Sequence, residues 1–306
     1  MNTVGSTNTA IALFGSVARR DGDRLSDKDV LVINDDASTA KSLAHNLRCN
    51  GWSPVSYSWR RFEAAVRSKR LFIQHLRQDA KIVRDVDGRL KETLKDFRPR
   101  FEYLDDLRSA EEFLILPSAI PNCMRGLYWS LDVLAVGLRN FGILRLAHEG
   151  IYRFNLCSIL NGLVSIGTIK STDVGELIRL RDYKRMYRAR RFHAKFTFRD
   201  VANVVNLVSD RIGIGTRAKK TSAEDIVHSA LFPTKGSDWY EQARRLEAAL
   251  FAVKPNRNDP ELCSFRSEIE HAVESPADYG WTIKVNAARI SDQLWDIAGS
   301  RPLENW

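Results

Sequence analysis

Two aspartates separated by one residue, Asp27 and Asp29, follow a Gly15-Ser16 pair after an interval of ten residues in the stretch IALFGSVARRDGDRLSDKDVLVI. A glycine lets a phosphate chain come close to the backbone. A serine hydroxyl and the amides of the following turn can then donate hydrogen bonds to phosphate oxygens. In an extended strand alternate side chains share a face, so both carboxylates of an Asp-x-Asp point the same way. Such a pair suits Mg²⁺, a hard ion that favours oxygen ligands and commonly shares itself with substrate phosphates. Two such ions can stabilise both the attacking and the leaving oxygen in a displacement at phosphorus.

Elements at the right places must hold these groups. Ala10 to Phe14 is an apolar run ending at Gly15-Ser16, and Val30 to Ile33 is a second run following the polar stretch RRDGDRLSDKD. Both read as buried strands joined by a short helical turn. Thr39 to Cys49 has helical spacing and stops at Asn50-Gly51, and Pro54 to Trp59 reads as a third strand. Phe62 to Arg77 reads as one helix, followed by the strand and turn KIVRDVDG and the helix RLKETLKDF. A compact domain over residues 1–97 results.

The residues Gly15, Ser16, Ala18, Arg19, Ser26, Asp27 and Asp29 fit the pattern GSxARG…SDxD. The chain here resembles the DNA polymerase β superfamily of nucleotidyltransferases, in particular its small, minimal (MNT-like) members. It departs from them at Arg20, where glycine is usual, and at Lys28, where an apolar residue is common. The resemblance implies that Asp27 and Asp29 are catalytic and bind two Mg²⁺ ions, and that Gly15, Ser16, Arg19 and Ser26 hold an NTP. It also implies a third carboxylate on a strand beside the Asp-x-Asp strand. The expected strand, SPVSYSW, offers Ser56 instead. Asp85 and Asp87 are substitutes, although Asp-x-Asp-Gly favours a tight turn with positive φ at Gly88. A site without a third acid would hold nucleotide with reduced or no catalysis. His75 falls near the apolar face of its helix and reads as a packing residue.

From Phe101 onward the pattern changes to amphipathic stretches such as Glu111–Leu116, Cys123–Arg139 and Tyr152–Leu163, which read as a helical bundle over residues 98–213. Pro117 and Pro121 bracket a break. The run IGIGTRAKKTSAED reads as an exposed connector opening a last segment, 214–306, with further helices packed on the bundle. The fold class expected is α+β: a small mixed sheet followed by an all-α bundle. In the superfamily such a bundle closes the far side of the nucleotide cleft and helps to choose the acceptor.

Residues 181–195, RDYKRMYRARRFHAK, hold seven basic residues and one acid, with Tyr183, Tyr187 and Phe192 interleaved. The composition suits phosphate contacts and base stacking, with Lys184, Arg188, Arg191 and His193 the candidate nucleic-acid contacts. It equally suits a solvated helix whose aromatics pack inward. Arg188 and His193 also have the R-x4-H spacing of HEPN ribonucleases, which would give the arginine a phosphate to steady and the histidine a proton to move. Ala189 and Lys195 depart from that family's pattern.

A net charge of +9 would attract polyanions, or it is a solvated basic surface. The polar start and the lack of a long apolar run point to a soluble cytoplasmic protein with no membrane association. Cys49, Cys123, Cys157 and Cys263 are scattered, without the clustering a structural zinc site needs, and read as reduced, mostly buried thiols. Trp129, Trp239 and Trp281 suit either the bundle core or a dimer interface. The expected activity is Mg²⁺-dependent transfer of NMP, most simply AMP, from an NTP to a hydroxyl of RNA or a partner protein, in a toxin–antitoxin or defence setting. A decayed nucleotide- or nucleic-acid-binding module and a HEPN-like ribonuclease are the alternatives.

Overall fold

The computed structural model describes residues 9–20, 28–192, 196–232 and 239–253, with short pieces at 260, 263–264, 267–268, 289–292 and 294. It has a mixed four-stranded sheet and many helices, and divides into two compact units: Met1–Tyr103 with Gly150–Asn155, and Leu104–Glu149 with Leu156–Trp306. No helix among the described residues is long and apolar enough to cross a membrane.

The first unit runs β1 (Ala10–Leu13), α1 (Gly15–Arg19), β2 (Asp29–Ile33), α2 (Ala37–Cys49), β3 (Ser53–Tyr57), α3 (Trp59–Arg67), α4 (Leu71–Asp79), β4 (Lys81–Asp85) and α5 (Arg89–Asp96). The strand order is β3-β2-β1-β4, with β1 antiparallel to both neighbours and β2 parallel to β3. Alternation decides which side chains face inward. Ala10, Ala12, Leu31 and Ile33 join Trp59, Phe62, Ile73, Leu76, Leu90 and Leu94 from α3, α4 and α5 in one core. Val30 and Val32 are buried on the opposite face. The small alanines of β1 let the helices lie close to the middle of the sheet.

The helix expected over Phe62–Arg77 is two helices. Ser68 ends α3, Lys69 takes the left-handed conformation with φ 50°, and α4 starts two residues later. The α2 helix is capped by Asp36, whose carboxylate accepts from the Ser38 and Thr39 amides and hydroxyls. These hydrogen bonds, led by that of the Thr39 hydroxyl, hold its carboxyl down at about 2.

The first unit extends past residue 97 because Tyr103 belongs to it. Its ring is 1% exposed with the Arg100 guanidinium 4.5 Å from its centroid. Burial, and then the neighbouring Tyr152, push its hydroxyl up to about 12. Residues 150–155 return to the same unit as a strap: the Gln78 side chain donates to the Tyr152 carbonyl, and Phe154 is buried.

The second unit is built round α7 (Met124–His148), a 25-residue helix buried on nearly all sides. Against it pack α6 (Leu104–Ile115), α8 (Leu156–Ser165), α10 (Leu180–Arg188), α11 (Phe198–Ile212) and α13 (Trp239–Ala252), with α9 (Val174–Ile178) on α8 and α10, and α12 (Ala223–Leu231) on α13. The helix runs past the expected end at Arg139 because Asn140-Phe141-Gly142 is no break. A β-carbon on Gly142 would meet Ile159 Cγ2 at 2.4 Å, so the glycine lets α8 pack against the helix backbone. The proline-flanked segment and the expected connector hold β5 (Ala119–Pro121) and β6 (Lys219–Thr221), a two-stranded parallel sheet. The cysteines depart from expectation: Cys49, Cys157 and Cys263 are exposed and Cys123 is half-buried. Trp129 is in the core, whereas the side chains of Trp239 and Trp281 lie outside the described residues.

Candidate functional site

Strand β1 delivers the chain to Gly15, where it turns at once into the five-residue α1. The turn is tied to β2 by the Phe14 amide, which donates to the Asp29 carbonyl at 3.2 Å. Gly15 has φ 69°, and a β-carbon there would lie 2.6 Å from Oδ2 of Asp29. The carboxylate of Asp29 therefore stands directly over the start of the turn, and only a glycine leaves room for it. Ser16 follows as the second residue of α1 and is half-exposed. Gly15, Ser16 and Asp29 are thus brought together at one end of the sheet. Ser26 and Asp27 lie outside the described residues.

Arg19, the last residue of α1, reaches α4. Its Nη1 is 2.5 Å from Oδ2 of Asp79, and Nε2 of His75 is 3.1 Å from the same oxygen. Burial of Asp79 pushes its carboxyl up, but His75 and the Arg19 guanidinium together outweigh burial and leave it below the ordinary aspartate range. The His75 ring stacks on Phe154 at 4.2 Å and meets Phe14 edge-on at 5.7 Å. His75 thus packs as expected and also touches an acid. Sequence reading did not single out Asp79, which no motif marks.

The strand beside the Asp-x-Asp strand brings no acid. Its register sets Ser53 against Asp29, and Ser56 falls against Val32 on the other face. Asp85 pairs across with Ala10, at the far end of β1 from Gly15. Its carboxylate caps α5, accepting from the Leu90 and Lys91 amides at 3.1 and 2.8 Å, while Asp87 accepts from the Arg89 amide. Gly88 has φ 72°, as a tight turn there requires. Neither aspartate is brought to the Gly15 end. Among the described residues no group of three His, Cys, Asp or Glu side chains could hold a metal ion.

In the second unit residues 181–188 of the basic strip lie on α10, and residues 189–192 follow it. Tyr183 and Tyr187 are buried, and Tyr183 packs against Phe196, so neither tyrosine offers a face to a base. Arg190 and Arg191 are exposed and Lys184 is half-exposed. Helix α10 ends at Arg188, and Arg190 has left-handed backbone at φ 52°, so R-x4-H does not lie on one helix. His193 lies outside the described residues.

Arg188 lies instead beside a buried charge network that the sequence did not disclose. Its Nε is 3.9 Å from Oδ1 of Asp132. Arg244 bridges Asp132 at 2.6 Å and Glu247 at 3.1 Å, and the Tyr187 hydroxyl donates to Glu247. Two carboxylates on α7 and α13 thus share one buried guanidinium.

No family model, curated protein or solved structure matches the chain.

Proposed function

We propose that the first unit is a nucleotidyltransferase domain that moves a nucleoside monophosphate, most simply AMP, from an NTP to an acceptor hydroxyl. The observation that carries this reading is the seat of Asp29 over Gly15. A carboxylate held against a glycine turn, at the end of two adjacent strands, would set an oxygen ligand for a divalent cation beside backbone donors for phosphate. Gly15 and Ser16 would hold the phosphate chain through backbone and hydroxyl donors. Asp27 and Asp29 would hold Mg²⁺, which when bound lowers the charge barrier to attack at the α-phosphorus. In the transfer, the acceptor hydroxyl gives up its proton to solvent as its oxygen bonds to that phosphorus, the bond to the oxygen shared with the β-phosphate breaks, and pyrophosphate leaves with that oxygen. The excess positive charge favours RNA or a partner protein as acceptor over a small neutral molecule.

The test is incubation of the protein with each α-labelled NTP, Mg²⁺ and total cellular RNA and protein, beside the Asp27→Ala/Asp29→Ala variant. Label carried to an acceptor only by the unaltered protein supports the reading. No transfer from any nucleotide overturns it.

A second reading rests on Ser53 standing where an acid would face Asp29. With two carboxylates alone the domain would bind Mg²⁺·NTP as a sensor and release no pyrophosphate. Calorimetric binding without turnover would distinguish it.

A further inference from the structure

Resting on the nucleotide reading above, we infer that Asp79 and His75 are positioning residues for the phosphate-binding turn, acting through Arg19 and Phe14 on its two flanks. The contacts form a closed circuit. Phe14 precedes the turn and meets the His75 ring at 5.7 Å, and His75 lies 3.1 Å from Asp79. Asp79 holds Arg19 at 2.5 Å, and Arg19 ends the five-residue helix that Gly15 begins. The sheet register makes this possible, because Leu13 pairs with Lys81 and so brings the end of α4 level with Gly15.

A helix this short cannot hold its own direction. Its N-cap residue Phe14 supplies no side-chain cap, and Arg20 ends it in left-handed backbone at φ 63°. The amides that would meet phosphate are therefore aimed by what grips the flanks. The grip is nearly dry, with the Asp79 and His75 side chains 7% and 12% exposed, and Phe154 stacks on the His75 ring. Arg19, which the sequence suggested as a phosphate ligand, is assigned instead to this circuit, with its charge balanced by Asp79.

The experiment uses the full chain and measures binding of each of the four NTPs with Mg²⁺ by calorimetry, for the unaltered protein, Asp79→Asn, Arg19→Met and the double variant. Loss of a supporting residue typically weakens a site about tenfold or more. Asp79→Asn should weaken the best-bound nucleotide by about tenfold. Adding it to Arg19→Met should cost clearly less than the sum of the two single losses, because Asp79 acts in part through Arg19, whereas a residue that merely stabilises the fold would add its effect. If Asp79→Asn does not fold, His75→Gln decides by the same measure, with weakened binding expected. Unchanged binding in the single variant, or additive losses in the double one, overturns the inference while leaving the nucleotide reading standing. An unaltered protein that binds none of the nucleotides overturns that reading and the inference with it.

Discussion

The carboxylate of Asp29 occupies the place that a side chain on Gly15 would need, with Oδ2 2.6 Å from the position of a β-carbon. The acid and the glycine can therefore change only together. Gly15→Ala should force either the backbone out of its left-handed conformation or the carboxylate off the turn. The conformational part alone costs about 1–2 kcal/mol. A lowered melting temperature, together with lost Mg²⁺·NTP binding, is the expected pair of results. Asp29→Ala/Gly15→Ala should recover part of the stability and none of the binding.

Asp79 makes a prediction about acid stability. Its folded carboxyl lies below the ordinary value of 3.8, so it contributes stability at neutral pH. That contribution is intact above the unfolded value and is lost as pH falls through the lower folded one. Thermal melts between about pH 2 and 6 should show a shallower acid limb for Asp79→Asn than for the unaltered protein. Parallel limbs would show that the carboxylate is not held as described.

In the bundle, Arg244 and Arg188 both lie near Asp132 but should differ sharply. Arg244 is 3% exposed and is shared by Asp132 and Glu247, so Arg244→Met takes from two buried carboxylates the cation that bridges them. Breaking such a network costs about 3–5 kcal/mol. Arg188 is 28% exposed and 3.9 Å away, so Arg188→Met should cost clearly less than Arg244→Met. Urea denaturation of the two variants gives the comparison directly, and equal losses would contradict it.

Two glycines on helices should respond in opposite directions to alanine. At Gly142 the new methyl meets Ile159 at 2.4 Å, and overpacking of this kind costs about 1–3 kcal/mol. At Gly175 in α9 nothing lies within 4 Å, so alanine there should stabilise by about 0.5 kcal/mol through a less flexible unfolded chain. Melting temperatures of the pair measure both signs.

Strands β1, β2 and β3 and helix α2 could be read from the chain because each is an apolar pattern closed by a local turn signal, such as Asn50-Gly51. The division between α3 and α4 could not, because no glycine or proline marks it and Lys69 itself adopts the left-handed turn. Strands β5 and β6 are three residues each, too short for alternation to register. The same limit applies to the site. Gly15 and Asp29 belong to one local motif, whereas Arg19 and Asp79 are 60 residues apart and meet only because β4 returns alongside β1. Asp132 and Arg244 are 112 apart, and on α7 the aspartate reads as an ordinary interruption of an apolar run.

The strap at 150–155 sets a limit on when and how the first unit can form. As the chain leaves the ribosome, the sheet and its helices are complete in sequence by residue 103, yet Tyr152 and Phe154 emerge only after the whole of α6 and α7 has been made. At about 5–20 residues per second, that is a wait of some seconds during which His75 and Tyr103 lack their covers. A fragment cut at residue 97 would be held permanently in that unfinished state. A fragment that keeps the first unit whole must instead carry residues 150–155 as well, joined to Tyr103 through a linker in place of residues 104–149.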